Sequence, residues 1–225
     1  IWDVNPGYLN DKDLLDQDIL IHTLITNLEN NSVDYNRHLE ADRWRNYLPS
    51  LHKLHNLIIS EVRLRKLNDC NLTLFNGDSK WPLNFINPPQ KQFELLAVQY
   101  QNKNFGRIPL PISAQHIWSQ HKYSVMARDI NECKKIGLYV SKMKPCDSFS
   151  KFSEDLVELL RQRPNEGGIR NSLQHMWGYF KKEHRVDVTS LDLNGLLFTI
   201  QELAYKTQKK YILESTALSE LKIWL

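Results

Sequence analysis

The chain has 225 residues, 41% of them apolar, enough for one large core or two small ones. Net charge is only +3 but uneven: residues 1–112 hold 12 Lys/Arg against 13 Asp/Glu, and residues 113–225 hold 17 against 13. No apolar run approaches the roughly 18 residues of a membrane span, and Cys70, Cys133 and Cys146 have no CxxC spacing. This argues against a membrane protein, a disulfide-stapled secreted domain and a cysteine metal centre, and predicts reduced thiols in a cytoplasmic, nuclear or organelle-matrix setting.

Few glycines and repeated apolar patterns of helical period predict an all-α protein. Asn10-Asp11-Lys12-Asp13 offers caps for a first helix carrying Leu14, Leu15, Ile19, Leu20, Ile21, Leu24 and Leu28, with His22 expected on its packed face. A polar turn, 29–36, ends it. The next helical stretch, 39–67, is interrupted near Pro49; its second half carries Leu51, Leu54, Leu57, Ile58, Val62 and Leu64. Arg63, Arg65 and Lys66 gather at its end, where the helix dipole favours cations. His52 and His55 stand three apart on it, but no third ligand accompanies them, so no metal is expected.

Prolines and glycines then break the chain from Gly77-Asp78 to Pro109-Leu110-Pro111, leaving room only for a helix over 90–100. This predicts two helical domains, 1–75 and 113–225, joined by a proline-rich connector over 76–112. Ser113 caps a helix over 114–128, Asp129 starts another, and 149–163 forms a third ending at Pro164. Gly167-Gly168 reads as a hinge. Beyond it lie a signature helix, a long helix over 196–210 and a short C-terminal one.

Two segments mix cations and aromatic rings where a packed helix would carry leucines: 118–128, with His121-Lys122-Tyr123, and 170–181. Guanidinium and ammonium groups pair with phosphates and rings stack on bases, so nucleic acid is the natural ligand. His121, Lys122, Arg170, Asn171, His175 and Lys181 are the candidate contacts in this half, expected to line one concave surface. The alternative stays open that Trp177, Tyr179 and Phe180 pack the core while the polar groups form a buried network. Arg37, His38 and Arg43, at a turn entering a helix, are the candidates in the first half.

Ile1-Trp2-Asp3-Val4-Asn5-Pro6-Gly7-Tyr8-Leu9, Leu14-Leu15 and 35–44 resemble pyrimidine-dimer DNA glycosylases of the phage endonuclease V type over the first third of the chain. From Gly106-Arg107-Ile108-Pro109-Leu110-Pro111 onward, the chain resembles the YbgA-like domain of unknown function. The first resemblance implies a terminal α-amine that attacks C1′ of a damaged nucleotide to form a Schiff base, assisted by an Arg-Glu pair on the first helix. Here that pair aligns with Ile19-Leu20, and aliphatic side chains cannot shuttle a proton. Asp16, one turn before Leu20, is the candidate stand-in. An initiator methionine before isoleucine is ordinarily kept, so Ile1 is not expected to supply the amine.

These observations together predict a nucleic-acid-associated protein of DNA-repair ancestry, without a cofactor. It would act on DNA or RNA as a binding or structural module, alone or in a larger repair or ribonucleoprotein assembly. The alternative is an active glycosylase and AP lyase working through an N-terminal imine.

Overall fold

A computed structural model describes residues 1–30, 39–68, 80–101, 105–181, 188 and 190–225. They form eleven α-helices and short 3-10 turns, with no strand among the described residues. No helix among them is long and apolar enough to cross a membrane.

Extended residues lead into a 3-10 turn, Pro6–Tyr8, which Asn5 caps through its side chain. Helix α1, Asp11–Glu29, starts at Asn10, whose Oδ1 accepts the Asp13 N–H at 2.8 Å. Leu14, Ile21 and Leu24 are buried. Ile19 is 65% exposed, as its position about 140° around the helix from Leu14 requires. His22 is exposed rather than packed, its ring 5.8 Å from that of His55. Helix α2, Leu39–Trp44, is short. Pro49 then lies in the first turn of α3, Leu48–Leu64, where a missing N–H costs nothing. The α3 stripe of Leu51, Leu54, Ile58 and Val62 is fully buried, in part against α1.

Helix α4, Pro89–Gln99, packs on α7, Ser150–Leu160. Between them in sequence come α5, Ala114–Met126, and α6, Ile130–Val140, capped by Ser113 and Asp129. Helix α8, Glu166–Trp177, is capped by Asn165 and packs on α5 and on α9, Leu193–Thr207. The chain ends through α10, Lys210–Leu213, α11, Ala217–Glu220, and a 3-10 turn, Leu221–Trp224; α11 and the last turn lie on α3. Gly167-Gly168 is not a hinge. Both glycines sit in the first turn of α8, and a Cβ at Gly168 would stand 2.1 Å from the Ala127 carbonyl oxygen. Gly168 lets α8 press onto the end of α5, whereas a Cβ at Gly167 would meet only Asn165 at 3.4 Å.

Among the described residues, the buried apolar side chains form two clusters. The first joins α1 and α3 with Phe93, Leu96, Ile117, Val125, Cys133, Phe152 and Leu156, so it draws on both sides of the connector. The second gathers Leu64, Tyr123 and Ala127 with the inner faces of α8, α9 and the C-terminal segment.

One buried ionic group ties these parts together. Glu61, fully buried on α3, takes Arg107 bidentately (Nε to Oε1 2.8 Å, Nη2 to Oε2 2.7 Å) and Arg65 Nε at 2.7 Å. Arg107 also donates to the carbonyls of Leu213 and Ser215, and Arg65 to those of Leu9 and Gly7. Burial alone pushes the Glu61 carboxyl up, but Arg107 and then Arg65 outweigh it and hold it at about 2.

Candidate nucleic-acid interface

The N-terminal segment lies in a network of charges and rings. The Ile1 nitrogen donates to Glu40 Oε1 at 2.6 Å, and Trp44 Nε1 donates to Glu40 Oε2 at 3.1 Å. Asp3 Oδ1 accepts from Arg43 Nη2 at 2.6 Å and from Arg161 Nη2 at 2.9 Å; Asp3 Oδ2 accepts from Gln92 Nε2 at 3.2 Å. Gln92 Oε1 in turn accepts the Asp3 backbone N–H at 2.8 Å. Arg161 lies 4.9 Å from the Trp81 ring centroid and 5.1 Å from that of Phe85. Burial lowers its pKa, with Asp3 opposing and Arg43 adding to the shift.

The group is nearly closed: Asp3 and Glu40 face Arg43 and Arg161. Arg43, expected to contact phosphate, has a side chain only 7% exposed and also donates to Asn84 O at 3.0 Å. It braces the N-terminal segment, and an incoming phosphate would have to displace Asp3. Arg37 and His38 lie outside the described residues. Asp16 projects outward and pairs with Lys12 at 2.5 Å. His52 and His55 turn to α1 carboxylates, Glu29 at 3.2 Å and Asp18 at 2.8 Å.

In the second half, the candidates separate. His121 is buried: Nε2 lies 2.9 Å from Tyr8 Oη and Nδ1 3.3 Å from Thr216 Oγ1. Burial, helped by Arg128, pushes its pKa down to about 3, so the ring is neutral at pH 7. It joins the Pro6–Tyr8 turn to α5 and α11 and lines a mostly apolar cavity with Trp81, Arg161 and Trp224, away from Arg170 and Lys181. Trp177 and Phe180 are core residues, as in the blander reading of the signature helix. Arg170 is exposed, 3.9 Å from Glu166, in a groove of 430 Å³ shared with Arg163, Asp192 and Asn194. Asn171 is half-buried, while His175 and Lys181 are exposed. The single concave surface expected for all of them does not form among the described residues, since His121 faces the interior.

Both signature segments nevertheless meet, through a residue the sequence reading overlooked. Lys122 Nζ sits 4.7 Å from the Tyr123 ring centroid and 4.8 Å from that of Tyr211. Tyr179 stacks on Tyr211 at 5.2 Å with 30° between planes, and remains 38% exposed. Tyr211 follows Lys209-Lys210, a pair that reads as a solvated helix end; the adjoining aromatic was the available signal. Burial raises the Tyr123 pKa strongly, with hydrogen bonding to Tyr179 adding to it. A lysine held over two rings beside a half-exposed stacked pair offers a flat apolar face and a cation within one small area.

No curated protein and no solved structure matches the chain. Two family models do. Residues 1–73 match the pyrimidine dimer DNA glycosylase family, and residues 122–190 match a family described as a protein of unknown function (DUF1722). The chain is thus similar to a DNA-repair glycosylase family at its N-terminal end and to a family of unknown function through α5 to α8.

Proposed function

We propose that this protein is a nucleic-acid-associated module in which a glycosylase-type helical frame persists without its acid–base chemistry. The observation that carries this reading is the outer face of α1. Ile19 stands in solvent and Leu20 is half-buried where an Arg-Glu pair is expected, and Asp16 is paired with Lys12 in water. A carboxylate so placed and so solvated lacks the enclosed position that proton transfer at C1′ needs. The Lys122–Tyr123–Tyr179–Tyr211 group, with Lys181 exposed nearby in sequence, supports the binding half of the reading. DNA is the partner favoured by the N-terminal family; RNA and a larger repair or ribonucleoprotein assembly are further proposals on the same chemistry.

Borohydride trapping on abasic and dimer-containing DNA tests the loss of chemistry. The full chain should bind such DNA in a salt-dependent way and form no covalent adduct. Trapping that disappears in Asp16→Asn would overturn the reading and assign Asp16 the acid–base role.

One observation favours the second reading, a glycosylase acting through an imine: Glu40 Oε1 lies 2.6 Å from the Ile1 nitrogen. A carboxylate therefore stands beside the N-terminal segment, although it is on α2 and not on α1. Adduct formation lost in Glu40→Gln but retained in Asp16→Asn would establish that reading.

A further inference from the structure

We infer that the groove between the end of α3 and the outer face of α9 is a binding site for single-stranded nucleic acid. This rests on the nucleic-acid reading above and gives it a location. The groove encloses 200 Å³, and among the described residues its charged lining is Arg63, Lys66 and Lys222 with Glu202. Phe198 forms one wall and is 62% exposed. The α3 wall of the site lies within the segment similar to the glycosylase family, whereas Phe198, Gln201, Glu202, Tyr205 and Lys222 lie beyond the segment similar to the family of unknown function.

Three features argue for a built surface rather than a chance patch. The floor is fixed by side chains bound across it, Ser60 Oγ to Ser219 O at 2.6 Å and Gln201 Nε2 to Leu218 O at 2.7 Å. Lys66 occupies the left-handed region, φ 58°, at the end of α3, a position glycine fills without strain. A lysine there accepts that strain and places its ammonium at the groove mouth. Its pairing with Glu202, 3.6 Å between two exposed side chains, is weak and readily exchanged for phosphate. Arg63 lines the wall with protein contacts of its own.

The chemistry selects a strand with accessible bases. Lys66 and Lys222 suit phosphates, and Phe198 presents a ring to a base that is not already stacked in a duplex. The test is fluorescence anisotropy of a labelled oligothymidylate with the full chain, titrated at several salt concentrations, with thymidine monophosphate as competitor. Phe198→Ala should weaken binding about five- to a hundredfold with the salt slope unchanged. Lys66→Gln combined with Lys222→Gln should flatten the slope of log K against log salt by about 1.4. Because Lys222 also binds Asn194 at 2.6 Å, Lys66→Gln alone serves as the fold-neutral variant, with about half that change. If the wild type binds and every variant binds identically, the groove is refuted while the nucleic-acid reading stands. If the wild type binds no oligothymidylate at low salt, the single-strand site falls, and the nucleic-acid reading falls with it only if abasic and dimer-containing DNA also fail to bind. Competition by the monophosphate at the oligomer's own affinity would show a nucleotide site and overturn the strand.

Discussion

Replacing Glu61 by Gln should be among the most damaging single changes in the protein. Gln keeps the shape of the side chain but removes the charge that Arg65 and Arg107 share, leaving two guanidiniums in a site where each is less than a tenth exposed. Removing one partner of a buried ion pair costs about 3–5 kcal/mol, since the remaining charge keeps its desolvation penalty without its attraction. The lowered carboxyl pKa gives a second figure: a shift from 4.5 to about 2 corresponds to about 3 kcal/mol. In urea, with a slope near 2–3 kcal/mol per molar, the midpoint at pH 7 should fall by roughly 1–2.5 M. The pH dependence follows from the sign of the shift. The folded value lies below the unfolded one, so this stability is present above pH 4.5 and is lost as pH falls towards 2. The wild type should lose its advantage over Glu61→Gln across that window. Replacing Glu61 by Leu and Arg107 by Met together should cost less than Glu61→Leu alone, since one of the two stranded guanidiniums is removed as well. A Glu61→Gln protein within about 1 kcal/mol of wild type at pH 7, or equally acid-sensitive below pH 4.5, would refute the reasoning.

Gly168→Ala should destabilise by about 1–3 kcal/mol through the 2.1 Å approach to Ala127 O. A free helical glycine would instead gain up to about 1 kcal/mol from alanine, so the sign of the Tm shift in thermal unfolding decides the matter. His121 has a folded pKa of about 3, below the unfolded 6.5, so acid protonates the unfolded chain first and stability falls as pH drops from 6.5 towards 3. Its share of the slope is about 1.4 kcal/mol per pH unit; His121→Asn should flatten denaturation midpoints measured between pH 6.5 and 5, and parallel slopes would sink this account.

Local chemistry was legible in the sequence and long-range partners were not. Asn10, Ser113 and Asp129 cap the helices they were expected to cap, and Pro49 marks the first turn of α3, because each acts within a few residues. Gly167-Gly168 was misread because the reason for the second glycine is a carbonyl on α5, forty-one positions earlier. Arg43 and His121 have side chains equally suited to phosphate and to bracing. Their partners Asp3 and Tyr8 lie 40 and 113 residues away, and only the fold brings them together. His22 came out exposed because one position on a helical wheel is a rotation of about 100°, enough to leave the packed stripe. The first core, which draws on both sides of the connector, could not be read from periodicity, which shows that a face is buried but not against what.

The ties from α3 to the C-terminal end set an order on the ribosome. Ser60 Oγ bonds the Ser219 carbonyl, 159 residues later, and Arg107 closes on Leu213 and Ser215, 106 and 108 residues further on. At a synthesis rate of about 5–20 residues per second, roughly 8–30 s separate the emergence of α3 from that of the segment that covers it. For that interval the α3 face destined for α11 and the last turn stays open, with Arg107 short of its C-terminal carbonyls. The nascent chain in this state offers an apolar face beside a charged group, a surface on which a holding chaperone could act before the last helix arrives.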